Sequence, residues 1–534
     1  MSKKQKNNNV EQGISAAPLK KKISFFSAML VVVGSSVGAG IFLKSKSVLD
    51  GSHGSLVLAI FTWLIAGFAV IAMALSLIEI ASARNDNLSL IGWCKTFNTR
   101  LIYKASRNFM FYIYLPLTYF FMPLYFIIQL QDGIGVWTHS AEGLAPFQFG
   151  TSVDWLIWLV IVFAIMSYFT IVSGYSSRAG NIQNLGITAV KFIPLVVAAV
   201  IGFVFIGLEG TGSITPGFKP TPPEEITSLA AMTPGFGMFI AMAGIFFAYD
   251  GFYVTSGLQT EMAEPKKTPM AILFGLGIVT IIYLTIAISM SLNGTGSFYG
   301  FGEWLMKSGQ GWVFGVVNIL IAVGILGIIN GFAMWAPRFI EDLIKEDELP
   351  FSSKFKNRLN PNKPKVGIMY SLTMSVPIIF LFTLIGVFGY IPGGYAGAGY
   401  GAGMENLYNF ADLMANWTAL FTFGFIVASI YGCLKNRKTK KVVTEQKRYF
   451  KPMAIVSIVI MSISLLVTLF APIFDLLFIF SLPNLPQEDI ISRVMLIVVL
   501  LMFLSLTFLP TIIEDYINKR KGLPIDNDVK KINN

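Results

Sequence analysis

Cysteine and histidine are almost missing from this sequence, with two of each in 534 residues. Cys94 and Cys433 are far apart, which is neither a disulfide framework nor metal-ligand spacing. His53 and His139 each stand alone in expected loops, so neither a metal nor a cofactor is expected. Charge is scarce too. Only 13% of residues are Asp, Glu, Lys or Arg, against roughly 25% in soluble domains. There is no HExxH and no cluster of catalytic groups at one interface, so the chain is not expected to be an enzyme. With no GK[ST] and no GxGxxG, it also lacks a nucleotide loop.

Apolar residues are plentiful. The chain is 54% hydrophobic, with a mean hydropathy of +0.66. Too few charges remain to cover a water-facing surface, which points to an all-α integral membrane protein in a lipid bilayer. A span needs about 20 mostly apolar residues. Twelve such segments lie near 24–49, 55–83, 108–132, 153–174, 184–208, 231–260, 270–292, 312–340, 366–389, 406–433, 452–472 and 489–515. The lysine-bearing start resembles the n-region of a signal peptide, but the run after it is long and no cleavage pattern stands out.

The net charge of +11 invites a nucleic-acid reading until the charges are located. Of the 40 Lys and Arg, 34 fall in the tails and connections on the N-terminal side of the expected bilayer. Lys44, Lys46, Lys219, Lys307 and Arg493 are assigned to the other side, and Lys191 lies within a span. By the positive-inside rule both termini are cytoplasmic and the basic charge is an orientation signal. Nucleic acid is not an expected partner.

The first span contains "VVVGSSVGAGIFLKS", Val31 to Ser45. A glycine inside a helix costs about 1 kcal/mol relative to alanine, and three stand within seven residues here. Five spans later, "FFAYDGF" places Asp250 and Gly251 in mid-span, although an acid in hydrocarbon costs about 2.5–3.5 kcal/mol on the insertion scale. Matching interruptions in two halves point to a transporter's midplane site. A broken helix frees backbone N–H and C=O groups, which in a bilayer must find partners. N–H groups at the start of a second half-helix suit a carboxylate, and carbonyls at the end of a first half suit an ammonium. The expected ligand is a zwitterion. Small residues also permit close helix packing, and the first stretch alone does not separate the two.

These motifs resemble the amino acid–polyamine–organocation superfamily of permeases, from about Ser24 to Lys438. The resemblance rests on "GSSVGAGIF", "KFIPL" from Lys191, "FFAYDGF", "EMAEPKKTP" from Glu261 and "WAPRFIEDLIKEDELP" from Trp335. It implies a LeuT-type 5+5 inverted repeat with discontinuous helices 1 and 6, plus two extra C-terminal helices. The divisions are then a tail 1–23, a first repeat 24–208, a second repeat 231–433, an accessory pair 452–515 and a tail 516–534. It further implies alternating access and an amino acid held by unwound backbone. The carboxylate falls on Ala39 and Gly40, lined by Ser36 and Gly38. The ammonium falls on carbonyls around Ser36, Phe247, Ala248 and Asp250, with Phe252 as an aromatic gate. Asp250 departs from the apolar or small residue usual in relatives, so the substrate is neutral or cationic.

Lys191 lies about seven residues into its span, too deep to reach the interface freely. In the superfamily, a lysine there stands where sodium-coupled relatives bind a cation. That favours protons as the coupling partner, or exchange without an ion. The expected function is secondary active amino acid transport in the cell membrane, by symport or antiport. The alternatives are ion-free antiport, including of polyamines, and a substrate sensor on a transporter fold. Asp250 also fits a helix cap. Glu79 is expected at the interface, and Asp412 and Asn416, four apart, in an interhelical contact. "GGYAGAGYGAG", Gly393 to Gly403, is expected to be a flexible outer connection.

Overall fold

The computed structural model describes residues 24–38, 40–83, 89–138, 144–212, 226–253, 262–360, 362–390, 397–480 and 487–520, with isolated positions 214, 217, 222 and 522. The expected tail 1–23, Ala39, His139, Lys219 and nearly all of the chain beyond 520 lie outside the described residues. So do 254–261, where the second half of the sixth span was expected.

All regular elements among the described residues are helices. They are α1 (Phe25–Ser36), α2 (Gly40–Gly51), α3 (Leu56–Ala81), α4 (Ser89–Phe97), α5 (Arg100–Phe109), α6 (Leu115–Thr138), α7 (Asp154–Tyr175), α8 (Ser177–Glu209), α9 (Leu229–Met232), α10 (Pro234–Ala248), α11 (Thr268–Ser291), α12 (Gly302–Lys307), α13 (Gly311–Lys345), α14 (Ser352–Phe355), α15 (Lys365–Gly389), α16 (Met404–Thr439), α17 (Phe450–Ile479) and α18 (Gln487–Arg520). A π-helical turn, Met110–Tyr114, joins α5 to α6 in one continuous rod.

Ten of these rods are long and apolar enough to cross a membrane. Two shorter apolar helices, in α1 and α10, fall where the first and sixth spans were expected to break. In α1 the helix ends at Ser36, and Val37 turns to extended backbone (φ −78°, ψ 109°) before α2 restarts at Gly40. Several ends differ from expectation. The rod at the third expected span starts at Arg100 rather than 108, and α17 runs to Ile479 rather than 472. The buried helix α4 was not foreseen. It is nine residues long, too short to register as a span.

The packing repeats itself under a swap of the two halves. α1 packs on α11 as α10 packs on α3. α7 and α8 pack on α13 as α15 and α16 pack on α6. The pairs α3–α11 and α6–α13 map onto themselves, as contacts across a pseudo-two-fold axis must. With five spans expected per half, an odd number, the second half runs opposite to the first, as inverted repeats do. α17 and α18 stand outside this symmetry. α17 packs on α3, α10 and α16, and α18 packs on α5 and α17.

Three expectations about polar residues need correction. Glu79 is fully buried rather than at the interface, because Arg437 on α16 holds its carboxylate (2.5 and 2.9 Å) and the Lys447 N–H donates to it at 2.8 Å. Lys44 is fully buried within α2 rather than in an outer loop. The described part of the Gly-rich connection is folded rather than loose. Tyr400 is buried, and the Gly397 and Gly399 N–H groups donate to the Glu405 carboxylate. Gly401 has φ +102°, and a Cβ there would lie 2.3 Å from Asp154 Oδ2, so glycine is required.

Candidate functional site

The two breaks meet. A Cβ on Gly40 would lie 2.6 Å from Ala248 Cα, so the start of α2 rests against the end of α10 with room for nothing larger than hydrogen. Farther along the same pair, a Cβ on Gly237 would lie 2.2 Å from the Gly51 carbonyl oxygen. Small residues thus let α2 and α10 approach backbone to backbone. Gly40 therefore has a packing role as well as its expected place at the carboxylate site.

At this junction the free carbonyls of both first half-helices converge on one hydroxyl. Tyr283, from α11, reaches Ser36 O at 2.7 Å and Ala248 O at 2.8 Å. One hydroxyl has one proton, so it can donate to only one of them at a time. Ser36 Oγ is buried beside them with no hydrogen-bond partner among the described residues. Gly38 lies in the gap, where a Cβ would lie 3.3 Å from the Ile328 Cδ1. Sequence reasoning missed Tyr283, which looks like any aromatic in an apolar run.

Lys191 comes from α8 to the end of α1. Its Nζ donates to Gly34 O at 3.2 Å and Val37 O at 3.4 Å. It also lies beside α13, since a Cβ on Gly324 would lie 3.6 Å from Lys191 Cβ. Among the described residues, no carboxylate pairs with Lys191.

Asp250 follows α10. Its carboxylate accepts from the Tyr114 hydroxyl at 3.0 Å and the Gly251 N–H at 2.9 Å. Tyr114 in turn lies 3.1 Å from the Tyr253 hydroxyl. The aromatic-rich third span thus supplies Tyr114 to the site. Its Phe121 and Tyr125 pack against Phe247 with ring centroids 5.6 and 5.8 Å apart. Phe252, expected as a gate, is fully buried with its ring 5.2 Å from that of Phe423 on α16.

A second cluster lies on the far side of the gap. Lys44 Nζ is 2.5 Å from Asp412 Oδ1 and 2.9 Å from the Tyr125 hydroxyl. The Tyr125 hydroxyl also donates to Asp412 at 2.9 Å. The ammonium sits 4.8 Å from the centroid of the Phe247 ring, a cation–π contact. Asn416 Nδ2 reaches Asp412 Oδ2 at 3.4 Å. The expected contact of Asp412 and Asn416 is therefore with α2, through a lysine that loop counting had placed outside. Among the described residues no cluster of His, Cys, Asp and Glu could hold a metal ion.

Comparison with known proteins places this arrangement. The sequence profile described as Amino acid permease matches residues 23–504. An "Uncharacterized protein" of Mycoplasma pneumoniae (strain ATCC 29342 / M129 / Subtype 1) is 48% identical over 94% of this chain and 95% of its own. The "Serine/threonine exchanger SteT" of Bacillus subtilis (strain 168) is 24% identical over 68% of this chain and 77% of its own. The "b(0,+)-type amino acid transporter 1" of Mus musculus is 23% identical over 61% of this chain and 63% of its own. With a family match across nearly the whole chain and ten membrane-length helices, this is a multi-pass membrane protein that belongs to the amino acid permease family.

Proposed function

We propose that the chain is a secondary active transporter that carries amino acids by alternating access, in the cell membrane, with both termini in the cytoplasm. The observation that carries this reading is the convergence of Ser36 O and Ala248 O on one shared hydroxyl. Two half-helix carbonyls with one proton between them can accept more donors, and an α-ammonium has three. The carboxylate is assigned to the backbone at Gly38 and Gly40, together with Ala39, which lies outside the described residues. Ser36 Oγ, buried and without a partner among the described residues, is a further contact available to the ligand. Phe247, Ala248, Asp250 and Phe252 form the α10 side of the site.

The charge asymmetry supports the topology. With Lys44 removed from the outer set, 34 basic residues face four. Lys191 supports proton coupling. Among the described residues its hydrogen bonds go to carbonyls and no carboxylate pairs with it, so it can carry or release a proton without stranding a counter-ion. A second reading, exchange without ion coupling, is favoured by the exchanger name of the Bacillus subtilis relative.

The test is uptake of twenty labelled amino acids into proteoliposomes, empty or preloaded with unlabelled amino acid, with and without an imposed pH gradient. Accumulation in empty vesicles that follows the gradient supports symport. Uptake only into preloaded vesicles supports exchange. Uptake under neither condition, from protein that binds amino acids, would mark a sensor and sink the transport reading.

A further inference from the structure

Opposite the N-terminal end, a cavity of about 740 Å³ opens between α2, α6, α10 and α16. Its walls carry three carboxylates, Asp50, Asp132 and Asp412. Two have a lysine close by. Asp412 is paired with Lys44 at 2.5 Å, and Lys46 acts electrostatically on Asp50. Asp132 has no such partner. It is 5% exposed, its Oδ1 accepts from the Tyr400 hydroxyl at 2.8 Å, and among the described residues no Lys or Arg pairs with it.

The neighbours of Asp132 offer further acceptors. Gln129 stands one turn before it on the same face of α6 and lines the cavity. It is 8% exposed, and its side chain makes no hydrogen bond with a described residue. Asn318, from α13, is 2% exposed. Its Nδ2 donates to Phe314 O at 3.0 Å, which leaves Oδ1 for the cavity. A buried carboxylate is costly without a cation, and buried amides are ordinarily partnered. Three side chains with acceptor oxygens line one void, one of them a carboxylate, and together they suit a donor-rich cation. A divalent metal would require more carboxylates than one. An ammonium, with three N–H donors and a single charge, matches the set.

We propose that this cavity is a second solute site, in which Asp132, with Gln129 and Asn318, holds the ammonium group of an amine apart from the break between α1 and α2. The site is separated from the break by the Lys44–Asp412 pair, since Asp412 lines the cavity while Lys44 lies over Phe247. Its role as a waiting position on the path to the break rests on the transport reading above. The site itself does not.

The test uses the full chain purified in detergent, with n-butylammonium chloride as probe and sodium butyrate as control, read by thermal unfolding. The amine is expected to raise the melting temperature saturably in wild type, and butyrate is not. Asp132→Asn keeps an acceptor for Tyr400 and is expected to raise the half-saturating concentration at least tenfold. Gln129→Leu is expected to raise it several-fold, and Asp132→Glu to restore part of the affinity. An amine effect that ignores Asp132, that is abolished only by Asp250→Asn, or that sodium chloride reproduces overturns the proposal. So does the absence of any saturable effect in wild type. Uptake separates the two readings. Amino acid uptake with an amine shift indifferent to Asp132 removes the site and leaves the transporter. An Asp132-dependent shift without uptake does the reverse.

Discussion

Lys44 and Lys191 lie on either side of the gap between α1 and α2, and they are balanced in different ways. Lys44 is fully buried and has a carboxylate at 2.5 Å, a hydroxyl at 2.9 Å and an aromatic face beneath it. Lys191 is half-buried and has two carbonyl oxygens, at 3.2 and 3.4 Å. Carbonyl dipoles solvate an ammonium but do not neutralise it. The first lysine is thus tied to a fixed counter-charge and joins two helices that belong to different repeats. The second can change charge without leaving a partner behind. The same residue type serves as a latch in one place and as a candidate proton carrier in the other, and the counter-ion makes the difference.

The largest expected effect comes from breaking the pair. Asp412→Ala leaves the buried Lys44 ammonium uncompensated, which should cost about 3–5 kcal/mol. Lys44→Met should cost less, because Asp412 borders the open cavity and keeps Tyr125 and Asn416 as donors. Chemical unfolding in detergent measures both. Equal losses, or none, would show that the pair is not a latch and would erase the contrast with Lys191.

Next in size is Lys191→Ala. It removes two hydrogen bonds from a charged donor, each worth about 1.5–3 kcal/mol where fully desolvated and less here because Lys191 is half-buried. The functional effect should exceed the structural one. Accumulation driven by a pH gradient should vanish while exchange persists. A gradient response equal to that of wild type would remove the proton role and leave Lys191 as a prop for the end of α1.

The two lysines also differ in how visible they were in the sequence. Lys191 stands in the middle of an apolar run, so its depth was plain. Lys44 lies near the end of its segment, where a lysine ordinarily snorkels or belongs to a loop, and its partner is 368 residues away. Nothing local announces such a pairing. The breaks were legible for the opposite reason, because Gly34 to Gly40 and Asp250–Gly251 contradict their apolar surroundings within a few residues. The spans followed from the length of the apolar runs, and α4 escaped because it is short. Asp132 and Tyr283 were passed over because an Asp near a span's end and a Tyr within one are both ordinary. Only the packing shows that the first pairs with no Lys or Arg among the described residues and that the second joins two half-helices.

A smaller effect is expected at Tyr283, and it sharpens the contrast from the carbonyl side. Tyr283→Phe deletes the hydroxyl shared by Ser36 O and Ala248 O, at a stability cost of about 1 kcal/mol. Both carbonyls then lack that donor, so a bound ammonium gains more by filling them. The half-saturating substrate concentration should fall a few-fold in an equilibrium binding assay. A rise instead would mean that the hydroxyl touches the substrate itself, and the ammonium would have to move from between the two carbonyls.

The smallest and most selective effect belongs to Asp250, which extends the comparison to a carboxylate. Asp412 has a lysine, whereas Asp250 has only neutral donors among the described residues, Tyr114 and the Gly251 N–H. If it is ionised, its charge must be offset by the substrate or by backbone donors. Asp250→Asn keeps an acceptor for Tyr114, so stability should change little. Should the substrate supply the balance through a cationic side chain, arginine, lysine and ornithine will compete best in wild type, and the substitution will weaken them more than alanine or serine. Should the α-ammonium and backbone donors suffice, neutral amino acids will compete best and all will weaken alike. Competition by twenty amino acids on both proteins separates these outcomes. A panel in which no cationic amino acid competes would leave Asp250 as a cap and place the whole burden of substrate charge on the carbonyls of Ser36 and Ala248.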